Sequence, residues 1–375
     1  MHSAGFIGKR HAPWQEERDR VFDAALAAGW CAAGTATVDP FPDAEQHLLD
    51  AIRQGRLTGM DWMHERRAHA AAHLDERFPW AKSIIALAWP YPPGGMTANP
   101  APGGAGRIAS YALLRESGAT RAEDYHSLLE RKCRELVQHL RTTHPDCRAK
   151  IFVDHGWAVD RAIAERAGIG FIGKNACLIT PHGGSFVLLA SIVTSLPFPP
   201  TAPSRKSCGS CTACMSGCPT GAILSPGVID SRKCISYWTI EHEGDIPEDI
   251  RPLLGDWIFG CDLCQDVCPI NGVKALPGLH AGGELPSSRM DLVQLLFLDD
   301  GGFLDLFAGT PVERTGRIRL VRNVVIALGN VGTLEVLPHL ATFMESADGA
   351  MEELAAWAVM SIRRRQANPA RLPLH

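Results

Sequence analysis

Eight of the twelve cysteines lie between residues 208 and 268, at spacings that suit metal ligation. One run has the pattern C-x2-C-x2-C-x3-C before a proline and is formed by Cys208, Cys211, Cys214 and Cys218. A second run has the pattern C-x2-C-x3-C, also before a proline, and is formed by Cys261, Cys264 and Cys268. Cys234 stands between the runs. Because bacterial ferredoxins hold iron–sulfur clusters with the first spacing, we predict that this segment binds such clusters and carries single electrons.

The ferredoxin rule divides these cysteines between two [4Fe–4S] clusters, because the cysteine before each proline binds the other cluster. One cluster is assigned Cys208, Cys211, Cys214 and Cys268. The other is assigned Cys218, Cys261 and Cys264, which leaves it one thiolate short. A symmetric ferredoxin would have that ligand at position 258, where this chain has Ile258, so we assign Cys234. A pair of zinc sites is the alternative, but zinc sites favour C-x2-C pairs at longer separations.

The overall composition is that of an ordinary globular protein. The chain has 375 residues, of which 46% are hydrophobic and 21% charged, and this length suggests two or three domains. Its formal net charge of -4 excludes a charge-driven nucleic-acid coat protein but allows a local basic face. No apolar run reaches the roughly 18 residues that cross a bilayer, and the N-terminus lacks an apolar secretory core. These features predict a cytoplasmic protein without membrane contact, in which cysteines are more often ligands than disulfides.

Three stretches rich in proline or glycine separate candidate domains, and they cover residues 90–107, 197–203 and 277–286. Before residue 200, hydrophobic patterns predict a mixture of helices and strands, including a helix at 128–140 and strands at 83–89, 151–153 and 186–193. The predicted fold class is therefore α/β or α+β. After about residue 310 the pattern is helical only and is similar to HEAT-type repeats, with a small helical bundle as the alternative. The predicted domains are residues 1–200, 201–285 and 286–375.

Two features before residue 200 are candidates for a reaction centre. Asp154 follows a short apolar strand, a common place for a catalytic carboxylate, although an aspartate there can also cap the next helix. Segment 168–173 spells G-x-G-x-x-G, but a helical pattern precedes it, whereas a dinucleotide site requires a strand. We interpret this segment as a cofactor or substrate loop, in which glycines let the backbone approach a ligand and Lys174 and Asn175 add polar groups.

Two further groups of polar residues have less specific patterns. His69 and His73 are one helical turn apart and could bind a metal. Since no third ligand is evident, we expect a surface helix without a metal there. Arg317, Arg319 and Arg322 cluster at the start of a predicted helix, and arginines can bind phosphates. We predict that these arginines bind nucleic-acid phosphates, with a solvated face as the alternative.

The order of these motifs resembles that of the epoxyqueuosine reductases over nearly the whole chain. The central block is similar in the segments Phe152-Val153-Asp154, Asp160-Arg161-Ala162 and 167–175 (AGIGFIGKN). The cysteine motifs are similar in segments 208–214 (CGSCTAC) and 260–269 (GCDLCQDVCP). The C-terminal part is similar at Gly316-Arg317, at Arg322-Asn323 and at 327–330 (ALGN). This combination is far more specific than any single motif.

The resemblance implies a cobalamin-dependent oxidoreductase that reduces epoxyqueuosine to queuosine at the wobble position of a tRNA, with electrons supplied by two [4Fe–4S] clusters. It implies a nitroreductase-like α/β cobalamin domain at 1–200, a ferredoxin-like domain at 201–285 and HEAT-like helices at 286–375 that contact the tRNA. The family's proton donor corresponds to Asp154. The expected cobalamin contacts are Ser110, Asp154, Arg161, Gly173, Lys174 and Asn175.

The chemistry of the implied reaction agrees with these groups. Converting an epoxide to an alkene removes one oxygen as water and consumes two electrons and two protons, which require electron carriers and an acid. An external electron donor is then needed, and we expect the protein to be a monomer. A corrinoid reductive dehalogenase is one rival, but it would usually carry an export signal and lack the helical tail with its arginines. A non-enzymatic ferredoxin-type electron-transfer module is the other, and it leaves the first 200 residues without a role.

Overall fold

A computed structural model describes residues 13–93, 104–114, 121–272 and 289–367, which form a mixed structure of helices and strands. The strands are β1 (Ala32–Ala36), β2 (Ser83–Pro90), β3 (Ala105–Ile108), β4 (Ala149–Phe152), β5 (Phe171–Ile172), β6 (Leu178–Ile179), β7 (Val187–Thr194), β8 (Ile223–Ser225), β9 (Val228–Ile229), β10 (Trp257–Phe259) and β11 (Arg289–Asp291). The α-helices are α1 (Pro13–Ala27), α2 (Pro42–Arg53), α3 (Glu65–Ala72), α4 (Leu74–Arg77), α5 (Tyr125–Thr143), α6 (Asp160–Arg166), α7 (Ala213–Ser216), α8 (Leu263–Asp266), α9 (Pro269–Gly272), α10 (Leu292–Leu296), α11 (Asp300–Phe307), α12 (Arg317–Val331), α13 (Leu337–Met344) and α14 (Gly349–Ala367). Short 3-10 or π-helical turns lie at Ser110–Leu113, Ser231–Lys233, Tyr237–Glu241, Arg251–Leu254, Pro311–Thr315 and Leu334–Val336.

The central sheet has the strand order β1-β2-β7-β4, and each neighbouring pair is antiparallel. The three strands predicted before residue 200 are present as β2, β4 and β7, with ends that differ by at most two residues. The helix predicted at 128–140 is the central part of α5. Because the sheet is antiparallel, the α+β alternative describes this part of the chain and a parallel α/β sheet does not.

Helices cover both faces of this sheet, because alternate residues of β2 point to opposite sides. Ile85 and Leu87 are buried in a core that includes residues of α1 and α5. Ile84 and Ala86 are buried in a second core with residues of α6. Every residue of β2 is buried, which explains why its sequence is a continuous apolar run.

The cysteine segment and the C-terminal helices share one hydrophobic core, which the predicted domain boundaries divide. β3 pairs in parallel with β10 and antiparallel with β11, so one small sheet joins all three predicted domains. Ile108, Phe259 and Val324 belong to the same buried core. The predicted boundary near 200 falls in a stretch without helix or strand, whereas the stretch at 277–286 lies outside the described residues. The three predicted domains therefore do not each have a hydrophobic core of their own.

Polar side chains of α12 fasten the C-terminal helices to the cysteine segment. Asn323 is buried and donates to the carbonyl oxygens of Thr239 and Ile258, at 2.9 Å each. Asn330 donates to two further carbonyl oxygens of that segment. The helical pattern predicted after residue 310 is confirmed by α12, α13 and α14. Within the described residues, no helix has both the length and the apolarity to span a bilayer.

Candidate active site

Four of the predicted cluster ligands lie together at the surface. The N–H of Cys211 donates to the carbonyl oxygen of Cys208 at 3.1 Å, in a tight turn where Gly209 has a φ of +52°. Burial raises the pKa of the Cys214 thiol, and the charges of Cys208, Cys268 and Cys211 raise it further. These four sulfurs are therefore neighbours. Cys211 is exposed, so this group of cysteines is accessible from outside.

The other four predicted ligands form a second and more enclosed group. Burial raises the pKa of Cys234, and the charge of Cys218 raises it further. Burial also raises the pKa of Cys261, which lies near Cys234. A hydrogen bond with Cys177 and burial raise the pKa of Cys264, with smaller effects from the two neighbouring thiols. These neighbourhoods place the eight thiols in two groups of four, with Cys177 beside the second group.

Backbone groups around these sulfurs suit iron–sulfur ligation. The N–H of Lys174 points at Cys208 Sγ and that of Ala222 points at Cys218 Sγ, at 3.4 Å each. Hydrogen bonds of this kind favour the charged thiolate, which is the form that binds metal. Two sets of four thiols, each with an N–H directed at one sulfur, fit two four-iron clusters.

Asp154 lies just past the end of β4 in a strained turn. The N–H of His155 donates to the carbonyl oxygen of Val153 at 2.5 Å, which closes a γ-turn around Asp154, whose φ is +52°. This form of γ-turn is rare, and backbone strain of this kind concentrates at functional sites. The guanidinium of Arg67 holds the turn by donating to the carbonyl oxygen of Gly156 at 2.8 Å. Asp154 itself is exposed and is therefore accessible to a substrate.

Two tyrosines extend from Asp154 towards the cysteine segment. The hydroxyl of Tyr125 donates to Asp154 Oδ2 at 2.5 Å. The ring of Tyr111 packs edge-to-face on that of Tyr125, with centroids 5.7 Å apart. Burial raises the pKa of Tyr111, and the charges of Asp154 and Asp262 raise it further. Since Asp262 adjoins Cys261, Tyr111 lies within electrostatic reach of both Asp154 and the second group of cysteines.

Asp160, at the start of α6, is a second carboxyl group near Asp154. Loss of water raises its pKa from 3.8 to about 7, and the charge of Asp154 adds to this rise. The hydroxyl of Ser191 donates to Asp160 Oδ1 at 3.1 Å and, with the charge of Arg161, opposes the rise. Sequence analysis named Asp160 only as part of a segment similar to the family and gave it no role, because an aspartate in the first turn of a helix is common for reasons of helix stability alone.

The glycines of segment 168–173 make room for protein atoms. A Cβ on Gly168 would lie 2.2 Å from the carbonyl oxygen of Ala202. A Cβ on Gly170 would lie 2.6 Å from that of Ile179, and one on Gly173 2.6 Å from the Ile179 side chain. Close packing inside the protein therefore accounts for these glycines, and the approach of their backbone to a cofactor stays a prediction. Gly168 does follow a helix, as expected, with a φ of +71°.

Four polar side chains predicted to contact cobalamin are bound inside the protein. They donate as follows: Ser110 to Asp262 Oδ2 (2.6 Å), Lys174 to the carbonyl oxygen of Gly209 (2.8 Å), Asn175 to that of Cys264 (3.4 Å) and Arg161 to that of Ala176 (2.7 Å). Three of these acceptors belong to the cysteine segment, so the side chains join that segment to the α+β part. Each of these bonds uses one polar atom of its side chain, so the cobalamin contacts of Ser110, Arg161, Lys174 and Asn175 stay a prediction.

The three arginines predicted to bind phosphates have different surroundings. Arg322 is only 4% exposed, and its guanidinium donates to three backbone carbonyl oxygens between residues 238 and 244. The phosphate contact predicted for Arg322 is therefore corrected, because this side chain is a buried link between α12 and the cysteine segment. Arg317 pairs with Asp300, and Arg319 donates to backbone carbonyl oxygens, but both remain partly exposed.

Arg314 is a basic residue at the tyrosine end of the site that sequence reasoning missed. Its guanidinium donates to Asp124 Oδ2 at 3.0 Å and lies 3.2 Å from Nδ1 of His126. Its charge partly offsets the rise in the pKa of Tyr125, which burial and the charge of Asp154 cause. More than half of its side chain, 56%, is exposed. Its position three residues before Arg317 is the signal that could have added it to the arginine cluster.

Comparisons with known proteins agree with this arrangement. The family described as "4Fe-4S double cluster binding domain" matches residues 207–271, which include all eight clustered cysteines. The family described as "Epoxyqueuosine reductase QueG, DUF1730" matches residues 72–155, which end just after Asp154. The epoxyqueuosine reductase of Xanthomonas campestris is 33% identical over 349 residues, which are 91% of this chain and 94% of that protein.

Two solved structures show that the likeness extends to the fold. A crystal structure of an epoxyqueuosine reductase with an epoxyqueuosine-modified tRNA stem loop has a TM-score of 0.82 and 32% identity, covering 93% of this chain and 91% of that one. The epoxyqueuosine reductase of Bacillus subtilis, with its catalytic aspartate loop swung out of the active site, also has a TM-score of 0.82, with 31% identity over 93% of this chain and 91% of that one.

The α+β part, the double-cluster segment and the likeness to reductases over most of the chain together define an iron–sulfur oxidoreductase. The chain belongs to the epoxyqueuosine reductase family. These matches do not favour a reductive dehalogenase or an isolated electron-transfer module.

Proposed function

We propose that this chain reduces epoxyqueuosine to queuosine at the wobble position of tRNA, with Asp154 as the proton donor. The observation that carries this proposal is the position of Asp154. Its exposed carboxylate stands in a strained turn and connects through Tyr125 and Tyr111 to a segment with two sets of four thiols. One arrangement thus combines an acid with a source of electrons.

The reaction consumes two electrons and two protons, because the epoxide oxygen leaves as water and an alkene remains. Two [4Fe–4S] clusters would supply electrons one at a time. We propose Cys208, Cys211, Cys214 and Cys268 as ligands of one cluster. We propose Cys218, Cys234, Cys261 and Cys264 as ligands of the other. Since Cys211 is exposed, an external electron donor would dock beside the first set.

Asp154 would transfer its proton to the departing epoxide oxygen. The carboxylate that remains accepts a hydrogen bond from the Tyr125 hydroxyl at 2.5 Å, which holds Oδ2 in place. Arg67 fixes the other end of the turn through Gly156. A cavity of about 520 Å³ borders the turn through His155, Gly156 and Trp157.

Cobalamin, which the resemblance implies, would supply a low-valent cobalt centre for removal of the oxygen. The side chains of Ser110, Lys174 and Asn175, which hydrogen-bond the cysteine segment, and that of Arg161, which hydrogen-bonds Ala176, would line the pocket that holds this centre. We include cobalamin on the resemblance and assign it no side-chain ligand.

The tRNA would bind across the α+β part and the C-terminal helices, which we take to be HEAT-like. Arg314 is exposed beside the tyrosines, and Arg317 and Arg319 follow it in sequence with partly exposed side chains. Arginines contact phosphates in this way. In this division of tasks, residues 1–200 catalyse the reaction, residues 201–285 transfer the electrons and residues 286–375 bind the tRNA. We further propose that the enzyme acts as a monomer in the cytoplasm, where its substrate is.

The proposal is tested on protein purified without oxygen, given a chemical one-electron reductant and a tRNA that carries epoxyqueuosine. We expect queuosine in the digested tRNA, with about eight irons and one cobalt per chain. Zinc in place of iron would contradict the cluster assignment. Iron without cobalt in an active preparation would remove cobalamin from the proposal and leave the reduction itself intact.

A further inference from the structure

Two histidines and two glutamates converge outside the site described above. Glu45 lies in the first turn of α2, His69 in α3, His73 at the C-terminal cap of α3 and Glu76 in α4. Nδ1 of His69 lies 2.8 Å from Glu45 Oε1, and Nε2 of His73 lies 3.0 Å from Glu45 Oε2. The remaining ring nitrogens, Nε2 of His69 and Nδ1 of His73, each lie 3.5 Å from Glu76. The two rings stack with centroids 4.2 Å apart.

All four ring nitrogens therefore lie near carboxylate oxygens, and two negatively charged groups flank the stacked rings. A neutral imidazole has one N–H and one lone pair, so each neutral ring would direct a lone pair at a carboxylate. One divalent cation between Glu45 and the two rings would balance the charge of both glutamates and accept the lone pairs of both rings.

We propose that Glu45, His69 and His73 bind one divalent transition-metal ion of the Zn²⁺ class. Two imidazoles and one carboxylate are a known zinc donor set that leaves a fourth position for water. The nitrogens that face Glu76 would then donate to it, as ligating histidines normally do to an outer carboxylate. The two histidines alone gave no third ligand in the sequence, because the carboxylates come from two other helices.

The distances allow such an ion with small movements. The ligand atoms of Glu45, His69 and His73 all lie within 4.8 Å of one another, and tetrahedral zinc with bonds of about 2.1 Å needs about 3.4 Å between ligand atoms. Side-chain rotation can bring the ligand atoms to this spacing, because half of the His69 side chain, 50%, is exposed. By contrast, His64 at the other end of α3 is not among the proposed ligands. Its Nδ1 accepts a hydrogen bond from the N–H of Arg67 and caps the helix.

The ion would fasten α2 to α3, and α3 carries Arg67, which holds the Asp154 turn through Gly156. Its expected role is therefore to stabilise this corner of the fold. The inference does not rest on the proposed function.

The experiment titrates Zn²⁺ alone into the cluster-loaded protein by calorimetry without oxygen, after dialysis against a mild chelator. Four proteins are compared: wild type, Glu45→Gln, His69→Gln and His47→Gln. His47 lies on α2 close to Glu45 and outside the cluster, so its variant is the matched control for adding glutamine to this surface. Iron content and circular dichroism confirm that each variant is folded and loaded.

We expect about one Zn²⁺ site per chain in wild type and in His47→Gln. Loss of an outer partner weakens metal sites by about 10–100-fold, so loss of a ligand in Glu45→Gln or His69→Gln should weaken binding by more than about 100-fold. Zn²⁺ should also raise the Tm of wild type and of the control, because it binds the folded state. Equal binding by all four proteins, or no binding by folded wild type, would overturn the proposal.

Discussion

Replacing Asp154 by asparagine separates the chemistry of its carboxyl group from its place in the fold. Asparagine is nearly the same size and, like aspartate, tolerates a positive φ, so the turn with φ +52° can persist. Its side-chain oxygen can still accept the hydrogen bond that the Tyr125 hydroxyl donates to Asp154. The variant loses the transferable proton and the negative charge.

The two effects differ enough in size to be told apart. Exchanging a hydrogen bond to a charged group for a neutral one costs about 1 kcal/mol of stability. Losing a general acid typically slows a reaction about 10²–10⁴-fold, which corresponds to about 3–5 kcal/mol of transition-state stabilisation. We therefore expect Asp154→Asn to fold with both clusters, to bind tRNA with nearly unchanged affinity and to lose turnover by about 10²–10⁴-fold.

The assay is single-turnover conversion of epoxyqueuosine in tRNA under saturating reductant, with queuosine measured after digestion. Asp146→Asn is the matched control. Asp146 is exposed in the turn before the first residue of β4, whereas Asp154 follows the last residue of this strand. The Asp146 substitution should therefore leave the rate unchanged. Full turnover by Asp154→Asn would rule out this residue as the donor. Loss of cobalt from the variant would instead make Asp154 a structural residue of the pocket.

Three further predictions follow from the cysteines, the buried arginine and the second carboxyl group. Cys234→Ala should remove the paramagnetic resonance signal of one reduced cluster and Cys268→Ala that of the other; loss of both signals from each folded variant would contradict the assignment. Arg322→Ala should lower the free energy of unfolding by about 2–4 kcal/mol, because buried carbonyl oxygens lose their donor. Arg319→Ala should mainly reduce the salt dependence of tRNA binding, by about one unit of slope. A destabilised Arg319→Ala together with an Arg322→Ala that changes only tRNA binding would reverse these roles. Asp160 holds a proton in the folded state up to its pKa of about 7, and the unfolded chain does not, so wild type should lose about 1.4 kcal/mol of stability between about pH 6 and 8. Asp160→Asn should lack this loss, and parallel pH profiles of the two unfolding midpoints would show that Asp160 is already ionised at pH 6.

Much of the fold could be predicted from local patterns. The apolar run of β2 and the amphipathic face of α5 are set by neighbouring residues, and both elements are present. The division into domains could not be predicted in this way. β3 consists of Ala105–Ile108 and pairs with strands more than 140 residues away, and no local pattern records such a pairing.

The sequence by itself determined the chemistry that this protein can perform. Cysteine spacing records ligand sets directly, because one tight loop must bring successive thiolates to one metal centre, and Asp154 follows a strand that local hydrophobicity reveals. Only the tertiary structure decided which polar groups remain available to bind a ligand or a substrate. It buried Arg322, bound Lys174 and Asn175 to the cysteine segment, and brought Glu45 to two histidines more than twenty residues away. Burial and hydrogen bonding depend on contacts between distant parts of the chain, and these contacts are absent from any local pattern of residues.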